Sequence, residues 1–185
     1  MSIDRLISLA RLAEQCAVSL EAPLEQYVAL AHKTLHGGGT IYFAGNGGSA
    51  AHAQHMATEY VVRYQPVHRR AARAIALSTD SSLITAAAND LGFEAIFARQ
   101  VEAHGRAGDL LVVITTSGRS ANLLRAVEIA KSREMATVGL LGRDGGPLKA
   151  MVDVAIVVPS GDAALVQEIQ LAIDHHVCSM VEPTL

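Results

Sequence analysis

The chain has 185 residues, enough for one domain with a sizeable core and short for two. Half of the residues are hydrophobic, yet only 4% are aromatic and none is Trp. The 15 basic and 18 acidic residues give a net charge of −3, which predicts neither a nucleic-acid nor an anionic-membrane partner. No apolar run reaches the ~18 residues of a membrane helix. The aliphatic surplus instead predicts burial against further copies of the chain.

Two further features predict a cytoplasmic location. Cys16 and Cys178 lie far apart in the sequence and fit neither a zinc motif nor a disulfide framework, so both are expected to be reduced core thiols. The N-terminal segment mixes acidic and basic residues and has no apolar core or small-residue cleavage site. It is therefore not expected to be a signal peptide.

Hydrophobic periodicity predicts the order of helices and strands. Apolar residues at steps of three and four indicate helices over residues 3–36, with a break near Pro23. Short β-branched runs then alternate with helical stretches, as in a parallel sheet buried on both faces. The predicted strands are 41–44, 74–77, 110–115, 137–141 and 154–158. The predicted helices are 48–63, 81–104, 120–134, 145–151 and 162–181.

This alternation predicts an α/β fold with a doubly wound, five-stranded parallel sheet. We expect a single domain over 1–185, made of an N-terminal helical segment (1–36), a parallel α/β core (40–160) and a C-terminal helix (162–185). The terminal helices are expected to pack between subunits. Ligands of such folds bind beyond the carboxyl ends of the strands, so the loops there are the places to search.

The loop after the first predicted strand, residues 45–50, has the glycine-rich sequence GNGGSA. Glycine lets the backbone approach a ligand closely, and the N-terminus of the following helix favours an anion. Gly45, Gly47 and Ala50 also match the G-x-G-x-x-A dinucleotide pattern. That pattern needs an acidic residue about 20 positions further on, whereas Asp80 ends the second strand about 35 positions on. A dinucleotide site and a turn without ligand stay open as alternatives.

The loop after the third predicted strand, residues 115–120, has the sequence TTSGRS and opens a helix. Thr115, Thr116, Ser117 and Ser120 supply four hydroxyls, whereas an ordinary helix cap needs only one. Hydroxyls, backbone N–H groups and the helix dipole together predict a phosphate site. No G-x-x-x-x-G-K-[ST] motif occurs, so a small phosphorylated metabolite is favoured over a nucleoside triphosphate.

Polar residues also follow the second predicted strand. Ser78, Thr79 and Asp80 end it, and Asn89 and Asp90 come soon after. Polar groups close to a strand terminus are candidates for binding a hydroxyl-rich ligand. An Asn–Asp pair is equally typical of an ordinary turn, so both interpretations stay open.

Candidate metal ligands lie on two predicted helices. His55 and Glu59 are four residues apart and share one face, a spacing found in metal sites and equally in surface pairs. His52 is expected to be solvated. On the last helix, Gln167 and His175 lie near one face but about 12 Å apart along the axis, so two subunits would supply them to one metal more easily than one chain. A hydrogen-bonded seam between helices is the alternative.

Three segments together, residues 45–60, 74–120 and 166–182, resemble the SIS (sugar isomerase) family and within it the phosphoheptose isomerases. The resemblance extends in order over nearly the whole chain. It implies a flavodoxin-like sheet, a homotetramer with active sites at subunit interfaces, and one Zn2+ per site. It also implies conversion of sedoheptulose 7-phosphate to D-glycero-D-manno-heptose 7-phosphate through an enediol.

The resemblance assigns site residues by position. Glu59 and His175 match the acid–base pair of the family. The residues that match its metal ligands are His55, Glu59, Gln167 and His175. The residues that match its substrate and phosphate contacts are Asn46, Gly47, Gly48, Ser49, Glu59, Asn89, Asp90, Thr115, Thr116, Ser117, Ser120 and Gln167.

The chain departs from the family pattern at Thr115, Arg119, Gln170 and the pair Ala164 and Leu165, where the family usually has Ser, Asn, His and polar or charged residues. An isomerase of another sugar phosphate is therefore an alternative. A second alternative is a non-catalytic adaptor, because a bacterial SIS protein that associates with the replication initiator resembles this family. That adaptor lacks the carboxylate matching Glu59. The presence of Glu59 here favours an enzyme.

Overall fold

A computed structural model describes residues 3–65 and 68–185 of the chain. The strands are β1 (Ile41–Gly45), β2 (Ala74–Ala76), β3 (Leu110–Thr115), β4 (Ala136–Gly142) and β5 (Val154–Val158). The helices are α1 (Asp4–Ser19), α2 (Glu21–His36), α3 (Gly48–Val61), α4 (Ser81–Leu91), α5 (Ala98–His104), α6 (Ala121–Ser132), α7 (Leu148–Met151) and α8 (Ala163–Val181). Short 3₁₀ turns follow α4 and α8, at Phe93–Ala95 and Glu182–Thr184.

The five strands form one parallel sheet in the order β2-β1-β3-β4-β5. Strand β3 is buried along its whole length, as its run of Leu, Val and Ile predicts. The predicted five-stranded parallel α/β fold is therefore confirmed. The chain moves to one side of β1 for β2 and to the other side for β3, and in such sheets the crevice for ligands opens at that switch point, beyond the carboxyl ends of β1 and β3.

Helices cover both faces of the sheet. Ile41 and Phe43 point to a core shared with α1, α2, α3 and α8. Tyr42 and Ala44, which alternate with them along β1, point to the opposite core with α4, α5, α6 and α7. Helices α3 and α8, which carry the candidate metal ligands, thus pack on the same side of the sheet. Within the described ranges, no helix is long and apolar enough to span a membrane.

Two predicted helices are shorter than their apolar patterns indicate. The predicted helix 81–104 is wrong as one element, because Gly92 has φ +94° and separates α4 from the 3₁₀ turn and α5. The predicted helix 145–151 begins only at Leu148, since Gly145 and Gly146 have φ +84° and +55°. Positive φ is incompatible with a right-handed helix, and the hydrophobic spacing contains no sign of it.

Candidate active site

The loops that follow β1 and β3 are joined directly by a pair of side-chain amides. The amide of Asn46 donates to the Oδ1 atom of Asn122 (3.0 Å), and the Asn122 amide donates to the Oδ1 atom of Asn46 (2.8 Å). Asn122 is buried in the first turn of α6, directly after the hydroxyl-rich loop. The pair therefore holds the glycine loop and the hydroxyl loop together at the switch point. Asn122 was not identified from the sequence, because a single Asn in a helix carries no motif.

Close packing explains the glycines of the first loop. A Cβ atom at Gly45 would lie 2.6 Å from the carbonyl oxygen of Ser49, so only glycine allows this turn from β1 into α3. Gly47 has φ +55°, and its carbonyl accepts the first helical hydrogen bonds of α3. The side-chain amide of Gln167 lies against Gly48 at the start of α3, where a Cβ atom would be 2.8 Å from its Nε2 atom.

The hydroxyl loop leaves two of its four hydroxyls available to a ligand. Ser120 is the residue that caps α6, but its side chain makes no capping hydrogen bond. Ser117 Oγ lies 3.3 Å from the hydroxyl of Thr115 and accepts the N–H of Arg119. Within residues 3–65 and 68–185, the hydroxyls of Thr116 and Ser120 have no hydrogen-bond partner. A helix N-terminus with free hydroxyls suits a phosphate group.

Three side chains from α3 and α8 converge on one point. The Nε2 atoms of His55 and His175 are 2.9 Å apart, and Oε1 of Glu59 is 3.4 Å from Nε2 of His55. One ligand atom from each of the three residues lies within 4.8 Å of the others. Two imidazole nitrogens and a carboxylate oxygen that face one another form a donor set suited to Zn2+. His55 is the most accessible of the three, and Glu59 is partly buried.

The imidazole of His175 is held between groups that favour its neutral form. Desolvation and the neighbouring His55 lower the pKa of His175 below its ordinary value, against an opposing effect of Glu59. The ring of Tyr64 stacks on the other side of His175, with centroids 5.3 Å apart and an angle of 27° between the planes. A neutral imidazole at neutral pH is the form that binds a metal or accepts a proton.

The sequence predicted that two subunits would supply Gln167 and His175 to one metal more easily than one, and left open which subunit supplies His175. A single chain brings His175 to His55 and Glu59. The reason is that α3 and α8 run side by side in the same direction. Gln167 contacts Gly48 at the start of α3, and His175 contacts His55 two turns further on. The separation of Gln167 and His175 along α8 is thus matched by that of Gly48 and His55 along α3, about 10 Å.

The expectation that His52 is solvated is wrong. Its side chain is 8% exposed, and its Nε2 atom lies 2.9 Å from Oδ2 of the buried Asp174. The hydroxyl of buried Tyr27 donates to Oδ1 of the same carboxylate (2.8 Å). Burial and the neighbouring Asp174 raise the pKa of Tyr27 well above its ordinary value, so this phenol stays protonated as the donor. Helix spacing relates His52 only to its own helix, where it lies three residues before His55, and a carboxylate 122 positions later in the sequence gave no signal.

Asn89 and Asp90 are not joined to the two loops in this chain. Both are exposed near the end of α4, and the Asn89 amide donates to the Asp90 carboxylate (2.7 Å). Within the described part of the chain, no hydrogen bond connects either side chain to the glycine or hydroxyl loop. Their assignment to a substrate site therefore stays a prediction.

The residues that depart from the family pattern make their own contacts. Gln170 is fully buried, and its amide donates to the carbonyl of Thr115 (3.2 Å), so α8 is attached to the end of β3. The exposed guanidinium of Arg119 lies 2.6 Å from the carboxylate of Asp144. Both departures therefore act on the hydroxyl loop and its neighbours rather than on His55, Glu59 or His175.

The chain is similar throughout to one class of proteins. A family model described as SIS domain matches residues 6–142. A phosphoheptose isomerase of Chlorobium phaeovibrioides is 48% identical over 187 aligned residues, which cover 100% of this chain and 88% of the relative. The structure of phosphoheptose isomerase from Neisseria gonorrhoeae matches with a TM-score of 0.91 and 39% identity, over 97% of this chain and 96% of that one.

A second solved structure agrees with this match. A phosphoheptose isomerase from Francisella tularensis superimposes with a TM-score of 0.93 and 36% identity, over 97% of this chain and 95% of that one. The sheet and the loops beyond β1 and β3 thus define a SIS domain. Within that class, the chain belongs to the phosphoheptose isomerase family.

Proposed function

We propose that this chain is an aldose–ketose isomerase that converts sedoheptulose 7-phosphate to D-glycero-D-manno-heptose 7-phosphate. The observation that carries the proposal is the convergence of His175 from α8 with His55 and Glu59 of α3, the helix that begins at the glycine loop. Relatives named phosphoheptose isomerase, similar over 88% and 96% of their own length, support the substrate class.

The phosphate and the reacting carbons of such a substrate need separate binding groups. Thr116, Ser120 and the N-terminus of α6 offer hydroxyls and N–H groups to the phosphate. Along α3, His55 lies about 10 Å and Glu59 about 16 Å from Gly48, which leaves room for the carbon chain between the phosphate and the carbonyl. Phosphate binding far from the chemistry supplies energy that positions the carbonyl end.

Glu59 is the residue proposed to move the carbon-bound proton. Its carboxylate removes a proton from C1 of the open-chain ketose, and the electron pair forms the C1–C2 double bond of an enediol. The same carboxylate returns a proton to C2, which leaves the aldehyde at C1. His175 transfers the proton between the oxygens on C1 and C2, for which a neutral imidazole is suited.

A divalent metal is part of the proposal, with Zn2+ as the expected ion. His55, Glu59 and His175 would hold it, and Gln167 is the fourth residue that the family resemblance assigns. A bound Zn2+ would polarise the substrate oxygens and stabilise the enediolate. Glu59 is a weaker base while it binds a cation, so the ligand and proton-transfer roles of Glu59 compete. Metal dependence of turnover therefore needs its own measurement.

A homotetramer with active sites between subunits is also proposed. Several large apolar side chains in or next to α1 and α8 are exposed, among them Leu6 (66%), Val18 (82%) and Met180 (54%). These helices also line an apolar groove of about 960 Å3. Asn89 and Asp90, which have no hydrogen bond to either loop within the described residues, are proposed to reach the substrate of a neighbouring subunit. Light scattering on the full chain measures the subunit number directly.

Isomerisation in deuterated water tests the proposed reaction. The chain is incubated to equilibrium with sedoheptulose 7-phosphate in D2O, with and without a chelator. The expected product is the aldose phosphate with solvent deuterium at C2, and the chelator is expected to abolish its formation until Zn2+ is restored. Product without deuterium would contradict the enediol route. Full activity in the chelator would contradict the metal.

The alternatives predict other outcomes of the same assay. Turnover of a different sugar phosphate would identify another isomerase of the SIS family. Absence of turnover on any sugar phosphate, together with binding to a replication initiator protein, would favour the adaptor. Cytoplasmic location stays a prediction that rests on the substrate class and on the two free, buried cysteines.

A further inference from the structure

A buried ion pair lies behind the three converging side chains. The Nε atom of Arg69 is 2.8 Å from Oε1 of Glu182, and the two side chains are only 3% and 1% exposed. The pair connects the segment after α3 to the 3₁₀ turn that follows α8. Burying two charges costs free energy that their attraction alone often does not recover, so such pairs need further hydrogen bonds. The remaining atoms of this pair have such bonds, and three of them go to Glu59, Tyr60 and Tyr64, in or next to the site.

Arg69 holds the last turn of α3. Its Nη2 atom donates to the carbonyl of Glu59 (2.7 Å), and its Nη1 atom donates to the carbonyl of Tyr60 (2.8 Å). Carbonyls in the last turn of a helix have no partner within the helix and favour a positive charge. Arg69 therefore fixes the backbone from which the Glu59 carboxylate projects.

Glu182 holds the backbone at Tyr64. Its two carboxylate oxygens accept the N–H groups of Tyr64 (2.8 Å) and Gln65 (2.7 Å). Burial alone would raise the pKa of Glu182, but the hydrogen bonds from the Tyr64 amide, the Arg69 side chain and the Gln65 amide lower it below its ordinary value. Glu182 is thus a carboxylate that keeps Tyr64 in the position where its ring covers His175.

We propose that Arg69, Glu182 and Tyr64 are positioning residues that align Glu59 and His175 with each other. The ion pair reaches Glu59 through the helix carbonyls and His175 through the Tyr64 ring. The ion pair thereby fixes the distance between α3 and α8, the two helices that carry the candidate metal ligands. The catalytic consequence rests on the proposed function, whereas the alignment of the His175 ring does not.

Substitutions at Tyr64 separate an aromatic contact from a merely structural role. Tyr64→Phe keeps the ring and removes only the hydroxyl, whereas Tyr64→Leu removes the ring. In the full chain, Tyr64→Leu is expected to lower kcat on sedoheptulose 7-phosphate by about tenfold to a hundredfold, with KM nearly unchanged, because the misalignment affects the reacting groups and not the phosphate. Tyr64→Phe is expected to recover most of the turnover.

An NMR measurement tests the alignment without activity. The His175 Cε1–H signal, assigned by its loss in His175→Gln, is expected to move when Tyr64→Leu removes the ring current and to stay nearly in place in Tyr64→Phe. Glu182→Gln is expected to move it as well, since the N–H groups of Tyr64 and Gln65 lose their charged acceptor. Thr137→Val is the control, because Thr137 is a buried residue hydrogen-bonded to Asp153 at the amino ends of β4 and β5.

The two readouts distinguish failure of this proposal from failure of the proposed function. An unmoved His175 signal in both Tyr64→Leu and Glu182→Gln would overturn the positioning role. An unchanged kcat in an active Tyr64→Leu variant would overturn it too. If Thr137→Val lowered kcat as much as Tyr64→Leu does, the loss would reflect general destabilisation of the fold, and the positioning role would be contradicted. If the unsubstituted chain does not turn over the heptose phosphate, the proposed function fails, and the NMR signal alone decides the alignment.

Discussion

Replacing Gly48 by Ala is expected to lower turnover without weakening the fold. A Cβ atom at this first residue of α3 would lie 2.8 Å from Nε2 of Gln167 and 3.4 Å from its Cδ and Oε1 atoms. No backbone atom is within the same range. The substitution therefore displaces the tip of one flexible side chain, and that side chain is the one assigned to the metal and the substrate.

The size of both effects follows from the geometry. Ordinary contact begins at 3.4 Å, so the amide tip of Gln167 must move by about 0.6 Å or rotate away. A displacement of ~1 Å in an active site costs on the order of a hundredfold in rate, so a loss of about tenfold in kcat/KM is expected. Removing a glycine from a compatible position stabilises a fold by ~0.4–1 kcal/mol, which raises Tm by about 1–4 °C in a chain of this size.

Kinetics and thermal unfolding of the same preparation measure the two effects together. Gly161→Ala is the matched control, because nothing lies within 4 Å of its Cβ position. Gly161→Ala also replaces a glycine by alanine but makes no contact with Gln167, so its kcat/KM is expected to be unchanged. Full activity of Gly48→Ala would refute the requirement for Gln167 at this place. A fall in Tm would refute the claim that only a flexible tip moves.

The remaining predictions concern the phosphate loop and the buried ion pair. Thr116→Val and Ser120→Ala are each expected to raise KM for the sugar phosphate severalfold, because their hydroxyls have no partner within the described residues, and an unchanged KM for both would refute the phosphate site. Glu182 has a pKa below its ordinary 4.5 in the folded state, so it stabilises the fold above that pH and the contribution is lost as pH falls through the folded pKa. Urea unfolding is expected to show Glu182→Gln less stable than the unsubstituted chain by ~3 kcal/mol or more at pH 7, with the difference shrinking below pH ~4.5. A difference that grows with acid would contradict this sign.

The central strands β1, β3 and β4 were predictable here because they are buried on both faces almost throughout. The run LLVVIT at β3 has no polar interruption and can only be a central strand or a fully buried helix, and its length decides for the strand. The loops after β1 and β3 were also predictable, because glycines and clustered hydroxyls at the ends of strands are typical of ligand-binding loops. The helix over 81–104 failed at Gly92, where a backbone angle rather than hydrophobic spacing ends α4.

Long-range polar contacts were not predictable from the sequence. Arg69 and Glu182 are 113 positions apart, and each looks like a solvated surface charge in its own segment. His52 failed for the same reason, because its partner Asp174 lies on another helix. The convergence of His175 on His55 also depends on α3 and α8 running in the same direction, which no local pattern contains.

The activity of Glu59→Gln toward sedoheptulose 7-phosphate in D2O tests the proposed proton transfer by Glu59 most directly. The substitution keeps the size of the side chain and removes the group proposed to carry the proton between C1 and C2. No aldose phosphate and no solvent deuterium in the recovered ketose are expected, with Tm within a few degrees of the unsubstituted chain. A folded Glu59→Gln protein that still forms labelled aldose phosphate at a comparable rate would contradict this role of Glu59.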